Sequence, residues 1–436
     1  YRGTSRAAGG RRPARVMTLV KDSTSAPRTI AMLVGGGPAP GLNGDINSVT
    51  LSARARGWRV LGVPKGFSQL MVGDVSGVRE LTEADVDGIA TKGGSVLFTA
   101  RANPTKKQED LDAVVAALTK LEVTDLVTLG GDDTASSAVK VAGAFGGTMR
   151  AVHVPKTIDN DLPLPLEAPT FGYETAKYWG AELLKNLLAD AKTTSRWYMV
   201  TAMGRSAGHL AVAMAIGSGS HLVSIQEEFP PGAITVSDVA DMVEAAILKR
   251  MVAGEGWGLA VLAEGLLDQM SEEEMSQYVT EYDEHGHPRL SEIDLGKIVR
   301  DVVAARFKER GVKMAFITKI IGYELRCADP IAFDVQYTRT LGYGAVEFLA
   351  NGTGNALISL QAGKLVPIDF ADLQDPATGK VRVRKVDVDG GIWQAALALQ
   401  ARLAASDLEG DGLEALAEVS KEDGAALAAR FAHLVG

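Results

Sequence analysis

Four short runs in this sequence set charged or hydroxyl side chains against glycine. In Gly130-Gly-Asp-Asp-Thr134 a hydrophobic stretch stops at two glycines, and a small-residue helical pattern begins at Thr134. Glycines such as Gly131, between a strand and a helix N-terminus, let backbone N–H groups approach a phosphate. Two carboxylates in that turn should repel one. Asp132 could hold a metal ion; Asp133 then needs a separate reason. Pro155-Lys-Thr-Ile-Asp-Asn-Asp161, directly after a strand-like run, offers a lysine, a hydroxyl, an amide and two carboxylates. A self-capping Asx-rich turn is the plain reading, but it does not explain Lys156 and three adjacent acceptors crowded at a strand end. Met203-Gly-Arg-Ser-Ala-Gly208 puts Arg205 at another strand-to-helix turn, facing the same cleft. Gly35-Gly-Gly-Pro-Ala-Pro-Gly-Leu-Asn43, with Gly36 and Gly37, reads equally as a phosphate-binding turn or a plain connection.

The elements that must hold these runs alternate along the chain. Thr29–Val34 reads as a strand, and strand-like runs recur at Asp125–Leu129, Ala151–Val154, Trp197–Thr201, Leu222–Ile225, Leu259–Leu262, Lys313–Ile320 and Ala356–Leu360. Helical periodicity fills the gaps, as at Leu111–Leu121, Thr175–Ala189, Val236–Met251 and Ala332–Ala350. The alternation predicts an α/β chain of βα units stacked into mainly parallel sheets. In such sheets ligands lie at the carboxyl ends of the strands, which is where the glycines, carboxylates and arginines fall. Leu408–Leu434 reads as surface helix covering a core, and Asp268–Glu292, with its His285-Gly-His287, as a solvated acidic insert rather than a metal site.

Bulk properties narrow the class. A chain of 436 residues exceeds one core, so two domains are expected. The net charge of −9, with no basic stripe, argues against nucleic acid as a partner. Cys327 is the single cysteine, which excludes an internal disulfide and a cysteine-based zinc cluster and fits a reducing, cytoplasmic setting. No apolar stretch is long enough to cross a bilayer, so no membrane partner is expected. Residues 1–28 carry six arginines against Asp22 alone and read as a disordered basic tail. A transit peptide would look similar, and the residues before Met17 also read as upstream read-through.

Taken in order, the four runs resemble the phosphofructokinase family from about Thr29 to the C-terminus. Further matching pieces are Gly93-Gly-Ser-Val-Leu-Phe-Thr-Ala-Arg101, Phe171-Gly-Tyr-Glu-Thr-Ala176, Ala263-Glu-Gly265 and Ile321-Gly-Tyr-Glu-Leu-Arg326. The resemblance implies two Rossmann-like lobes with the active site in the cleft between them. Residues 29–190 with 325–436 would form the larger, donor-binding lobe and 191–324 the smaller, sugar-phosphate lobe. It implies that Asp159 is the general base for a sugar 1-hydroxyl, with Thr157 and Asp161 at its supporting positions. Asp132 matches the carboxylate that positions Mg²⁺ on the phosphoryl donor, with Gly36, Gly37, Gly131 and Thr134 on the donor side. Met203, Gly204, Arg205, Glu264, Tyr323 and Arg326 fall at the fructose 6-phosphate positions. Glu264 suits sugar hydroxyls, and the Arg326 fork can grip a phosphate. Arg101 matches an arginine that stabilises the group in transit. Arg196 matches one that serves the neighbouring subunit's sugar-phosphate site, so a homodimer or homotetramer is implied. The family's second such arginine is missing: its slot near Ile317 is apolar, with Lys313 and Lys319 on either side.

The resemblance also gives the second aspartate a reason. ATP-using members carry glycine where Asp133 stands, which leaves room for the α-phosphate. An aspartate fills that room and sets like charges together, which costs several kcal/mol at an effective dielectric of about 20. Lys156 replaces a glycine common in ATP-using relatives and matches the pyrophosphate-using ones. The pair therefore resembles a pyrophosphate-dependent phosphofructokinase, reversible in direction. A loop salt bridge between Asp133 and Lys156 is the plain alternative. An ATP-dependent enzyme with a shifted loop, and a pyrophosphate-dependent kinase of another sugar such as sedoheptulose 7-phosphate, are the functional ones.

Overall fold

The computed structural model describes residues 28–278, 293–373 and 381–435; the basic tail through residue 27 and the His285–His287 pair fall outside them. Among these residues twelve strands, β1 to β12 in chain order, form two sheets. The larger sheet contains β1 (Thr29–Val34), β2 (Arg59–Val63), β3 (Arg79–Glu80), β4 (Asp125–Gly130), β5 (Arg150–Thr157), β6 (Phe171–Gly172), β11 (Ala356–Gln361) and β12 (Lys364–Asp369). Its order is β12-β11-β5-β4-β1-β2-β3, with β6 beside β5. Pairing is parallel except for β3 and β12 at the two edges. The smaller sheet, all parallel, runs β10-β7-β9-β8 through β7 (Arg196–Ala202), β8 (Leu222–Ser224), β9 (Gly258–Ala263) and β10 (Ala315–Ile321). The α/β expectation holds, and every strand-like run read from the sequence coincides with a strand.

In each sheet the chain reverses its direction of build, and the reversal sets where a ligand can sit. From β1 the larger sheet grows to β2 on one side and to β4 and β5 on the other. That leaves a crevice beyond the carboxyl ends of β1 and β4, and the two glycine turns meet there: Gly35 N–H donates to Leu129 O at 2.8 Å. In the smaller sheet β7 has β9 on one side and β10 on the other, so the turns after all three strands face a second crevice.

The connecting helices are α1 (Leu42–Ala55), α2 (Gln108–Lys120), α3 (Asp132–Ala144), α4 (Tyr173–Thr194), α5 (His209–Ser218), α6 (Val236–Val252) and the short α7 (Glu272–Ser276). They continue with α8 (Leu295–Glu309), α9 (Ala332–Ala350), α10 (Phe370–Leu373), α11 (Gly391–Ala398), α12 (Gly410–Ser420) and α13 (Gly424–Phe431). Local signals explain their starts: Thr235 caps α6 by accepting from Asp238 N–H while the Asp238 carboxylate accepts in return from Thr235 N–H. One apolar core runs from the larger sheet (Ile30, Val127, Val152) into the smaller (Val200, Val261), so the two sheets share buried surface.

The expectation that the whole chain after residue 325 returns to the larger lobe fails for the last helices. Leu403, Leu416, Leu427 and Phe431 are buried with Trp197 and Leu262 of the smaller sheet. The cause is electrostatic as well as apolar. Asp241 and Glu244 are buried on α6, and Arg430 of α13 reaches them at 3.2 and 2.8 Å, joined by Arg306 of α8 and by Arg310 at the C-terminal cap of that helix. An apolar stripe tells that a helix covers a core but not which one.

A buried histidine fixes the register of β4 against β5 at the end that matters. His153 stands opposite Thr128, and both side chains are buried. The Gly130 carbonyl can only accept, so His153 Nε2 carries the proton and donates at 2.9 Å, while Nδ1 accepts from the Thr128 hydroxyl at 2.8 Å. Burial pushes the imidazole down to about 3. The folded state therefore keeps His153 neutral while the unfolded chain takes a proton below about 6.5. The stabilisation is whole above that pH and is lost as pH falls from about 6.5 towards 3. Between pH 7.5 and pH 5, urea denaturation should show a loss of about 2 kcal/mol from this one group, and His153→Gln, which cannot protonate, should lack that share.

Candidate active site

A cleft of about 430 Å³ opens at the carboxyl ends of β1, β4 and β5 and extends to the turn after β7. Close approach explains the glycines on its β1 and β4 sides. The Thr134 side chain occupies the space that a Cβ at Gly35 or Gly130 would need, with hypothetical contacts of 2.2 and 2.5 Å. Asp132 and Asp133 lie in the first turn of α3, Asp132 half-buried and Asp133 exposed, and both line the cleft. Lys156, at the end of β5, is 5% exposed and donates to Gly37 O at 2.6 Å. Burial pulls its ammonium down to about 8, opposed first by Asp159. The alternative reading as a loop ion pair does not hold: among the described residues Asp133 is not an ion-pair partner of Lys156.

The turn after β5 carries the densest chemistry. Asp159 is buried, its N–H donates to Thr157 Oγ1 at 3.1 Å, and its Oδ2 lies 3.9 Å from Arg205 Nε. Its Oδ1 has no protein partner, which leaves a buried acceptor on the wall of the cleft. Burial raises the Asp159 carboxyl, and Arg205 is the first group to oppose it. Asp161 is pushed up to about 6 by burial and then by Asp159. Asn160 between them sits at φ 58°, a left-handed conformation that asparagine tolerates better than most residues.

The smaller sheet supplies the facing groups. Arg205, after β7, is also left-handed at φ 50°. Glu264, at the end of β9, holds that turn: its Oε1 accepts from Gly204 N–H at 3.0 Å and Arg205 N–H at 2.6 Å. Arg326, after β10, lies over the Tyr323 ring at 4.7 Å and against Gly37 of the β1 turn. Thirteen of the residues singled out from sequence line one cleft: Gly36, Gly37, Arg101, Gly131, Asp132, Asp133, Thr134, Lys156, Thr157, Asp159, Asp161, Arg205 and Arg326. Gly204 and Glu264 stand directly behind Arg205. Met203 is buried beneath Gly322, and Tyr323 is exposed beside the cleft. Arg196 is elsewhere, at the opposite end of β7 from Met203, 3.7 Å from Asp190. Sequence reading missed Asn103 and Lys106, which line the cleft from the long connection before α2; no periodicity marks that stretch.

Among the described residues a three-ligand carboxylate or histidine set forms at Asp238, Asp241 and His433, far from the cleft, and Asp241 there is committed to Arg306 and Arg430. The cleft itself offers Asp132, close enough to Asp161 to add to the rise that burial and Asp159 cause in the Asp161 carboxyl. That donor set suits a hard cation carried largely by substrate oxygens and water, as Mg²⁺ usually is.

The sequence pattern of the family described as Phosphofructokinase matches residues 29–349. A protein of Naegleria fowleri named pyrophosphate–fructose 6-phosphate 1-phosphotransferase is 51% identical over 409 residues, covering 91% of this chain and 94% of that protein. One of the same name from Thermotoga maritima is 45% identical over 386 residues, covering 87% and 92%. The solved structure of phosphofructokinase from Saccharomyces cerevisiae superposes with a TM-score of 0.65 at 21% identity, over 79% of this chain and 45% of that longer one; at that identity the likeness concerns the fold.

The role of Glu264 as a backbone holder can be checked without substrate. Glu264→Ala should free the Gly204 and Arg205 amides and raise their hydrogen-exchange rates ten- to hundredfold, in keeping with the loss of about 1.5–3 kcal/mol for charged acceptors. Exchange in β7 itself should stay unchanged.

Proposed function

The chain belongs to the phosphofructokinase family, and we propose that it transfers a phosphoryl group from magnesium pyrophosphate to the 1-hydroxyl of fructose 6-phosphate, reversibly. The products are fructose 1,6-bisphosphate and phosphate. The observation that carries the donor assignment is the pairing of an exposed Asp133 with a buried Lys156 in one wall of the cleft. The two relatives named for pyrophosphate support it, since they match this chain over nearly their full lengths.

On this reading each half of the cleft has a task. Asp159 accepts the 1-hydroxyl proton at its unpartnered Oδ1 as the oxygen attacks phosphorus. Arg205 keeps that carboxyl ionised against burial, and Thr157 fixes its backbone. Lys156 and Arg101 meet the charge on the transferring group and on the leaving phosphate, where fixed charges in a desolvated site are most effective. Asp132 is the residue that would hold Mg²⁺, and the ion would supply neutralisation of the donor's charge. Arg326 and Arg205 serve the sugar phosphate. Substrates of this kind are small, soluble metabolites, so a cytoplasmic location belongs to the same proposal; no helix among the described residues is long and apolar enough to cross a membrane.

Arg196 adds an assembly to the proposal. It lies six positions along β7 from Ala202 at the cleft end, roughly 20 Å of strand, so it cannot serve its own cleft. We place it in the sugar-phosphate site of a second copy, in a homodimer or homotetramer. Arg196→Ala and Asp159→Asn chains, each inactive alone, should regain turnover when co-assembled, because one mixed site is intact.

The donor assay tests the main proposal. With Mg²⁺ and fructose 6-phosphate, pyrophosphate should support bisphosphate formation and ATP at matched concentration should not. Asp159→Asn should lower kcat by about 10²–10⁴-fold. Asp133→Gly with Lys156→Gly should lower kcat/KM for pyrophosphate by ten- to hundredfold, the loss of a charged hydrogen bond of about 1.5–3 kcal/mol. Turnover with ATP alone would keep the family and discard the donor assignment. Silence with both donors would send the assay to sedoheptulose 7-phosphate as acceptor.

A further inference from the structure

The residues that bind the turn after β5 to the turn after β7 lie outside the stretch that matches the family. Residues 381–388 follow β12, beyond residue 349 where the match ends. Within them Arg384 is 9% exposed, and its guanidinium is spent on the stretch from Asn160 to Ala168, with Glu167 3.9 Å away. Nε donates to Asn160 O at 3.0 Å, one terminal nitrogen to Ala168 O at 3.0 Å, and the other to the Asn160 side-chain carbonyl. Its backbone N–H donates to Asp161 O at 2.7 Å. Three of these four bonds therefore close on the left-handed Asn160 and its neighbour, on the C-terminal side of the carboxylate that faces the cleft, and the fourth ties down Ala168.

The same segment is fastened to the other sheet. The Arg384 carbonyl accepts from His209 Nε2–H at 3.1 Å, at the start of α5. Burial pushes that imidazole down to about 4, so it stays a neutral donor. Lys385 donates to Ser206 O, next to Arg205. Val386 N–H donates to Glu227 Oε1 at 3.1 Å, and Glu227 also accepts from Gly208 N–H at 2.9 Å. Successive residues of an extended chain face opposite ways, and here they face the two halves of the cleft.

We propose that Arg384 is a positioning residue for the phosphoryl transfer: it holds the Asp159 turn in its left-handed shape and, through the segment it belongs to, sets the distance between that turn and the Arg205 turn. This rests on Asp159 as the base. An uncharged or shorter side chain would strand the Asn160 and Ala168 carbonyls, and a lysine would keep the charge but not the planar fork.

The test uses the full chain with Arg384→Lys and Arg384→Ala, each first checked for folding by thermal denaturation. In Arg384→Lys, kcat should fall at least tenfold with KM for both substrates within about threefold, while the melting temperature shifts by only a few degrees. In Arg384→Ala, millimolar guanidinium should restore part of the lost kcat, which a purely structural lesion would not allow. Hydrogen exchange of the 158–161 peptide reads the positioning without any substrate: it should quicken about tenfold in Arg384→Lys while β5 stays protected. If Arg384→Ala does not fold, Arg384→Lys decides alone. Wild-type exchange in that peptide together with wild-type kcat would overturn the proposal. An inactive wild-type enzyme would instead sink the donor reading and leave the exchange result to settle this one.

Discussion

One buried ammonium sets the terms for the rest of the cleft. Lys156 is nearly inaccessible, and burial alone would strip its charge. It stays useful because a carbonyl of the β1 turn accepts a hydrogen bond from it and because Asp159 and Asp161 stand near it. Both carboxyls are in turn raised by burial, Asp161 also by Asp159 and Asp159 also by Glu264, and the rise is opposed by Arg205 and, for Asp159, Arg326. The buried lysine and the two buried carboxyls thus each depend on a neighbouring opposite charge to offset the cost of burial. The interdependence explains why the motifs come as an ordered ensemble: each supplies the counter-charge that another requires. Gly36, beside the Lys156 nitrogen, is glycine for its backbone: its φ of 78° is left-handed.

Strand ends make such an ensemble buildable. Each charged group leaves from the carboxyl end of a parallel strand or from the turn that follows it, and the strands share one apolar core. Positions are then fixed before substrate arrives, the condition under which electrostatic stabilisation is strongest. Two non-glycine residues, Asn160 and Arg205, sit in left-handed backbone, one in each half. Strain of this kind costs about 1–3 kcal/mol and persists only where the surroundings over-determine it. Glu264 does so for Arg205 and Arg384 for Asn160. The C-terminal segment therefore contributes to the cleft without lining it.

What was legible in the sequence follows from what leaves a local trace. The strands before the glycine turns announce themselves by a hydrophobic run and an abrupt stop, and β1, β4, β5, β7 and β9 lie where those signals place them. The edge strands β3, two exposed charged residues, and β12, largely exposed or half-buried, carry no such stop. Thirteen cleft residues were readable because they stand in turns with unusual composition. Arg384 was not: its partners are mostly backbone carbonyls, which every residue has, so nothing in the partners' identities points back to it. Asn103 and Lys106 lie in a connection without periodicity. For α12 and α13 the apolar stripe was visible, but their destination depended on the buried acids of α6, nearly two hundred residues away.

The structure also redistributes the weight of the donor argument. From sequence alone, Asp133 excludes a nucleotide both by filling space and by like charge. It is exposed, whereas Lys156 is buried. At about 4 Å, a unit charge is felt at about 1 kcal/mol in bulk water but about 4 kcal/mol at the effective dielectric of a protein surface. Exposure moves Asp133 towards the weaker limit, and salt screens it further. Its contribution then rests on the body of its side chain, which takes up space that glycine would leave. The charge term belongs mainly to Lys156, set where water cannot dilute it. On the proposed reading, selection for pyrophosphate is divided by environment: exclusion by an exposed side chain through its volume, and attraction by a buried one through its charge.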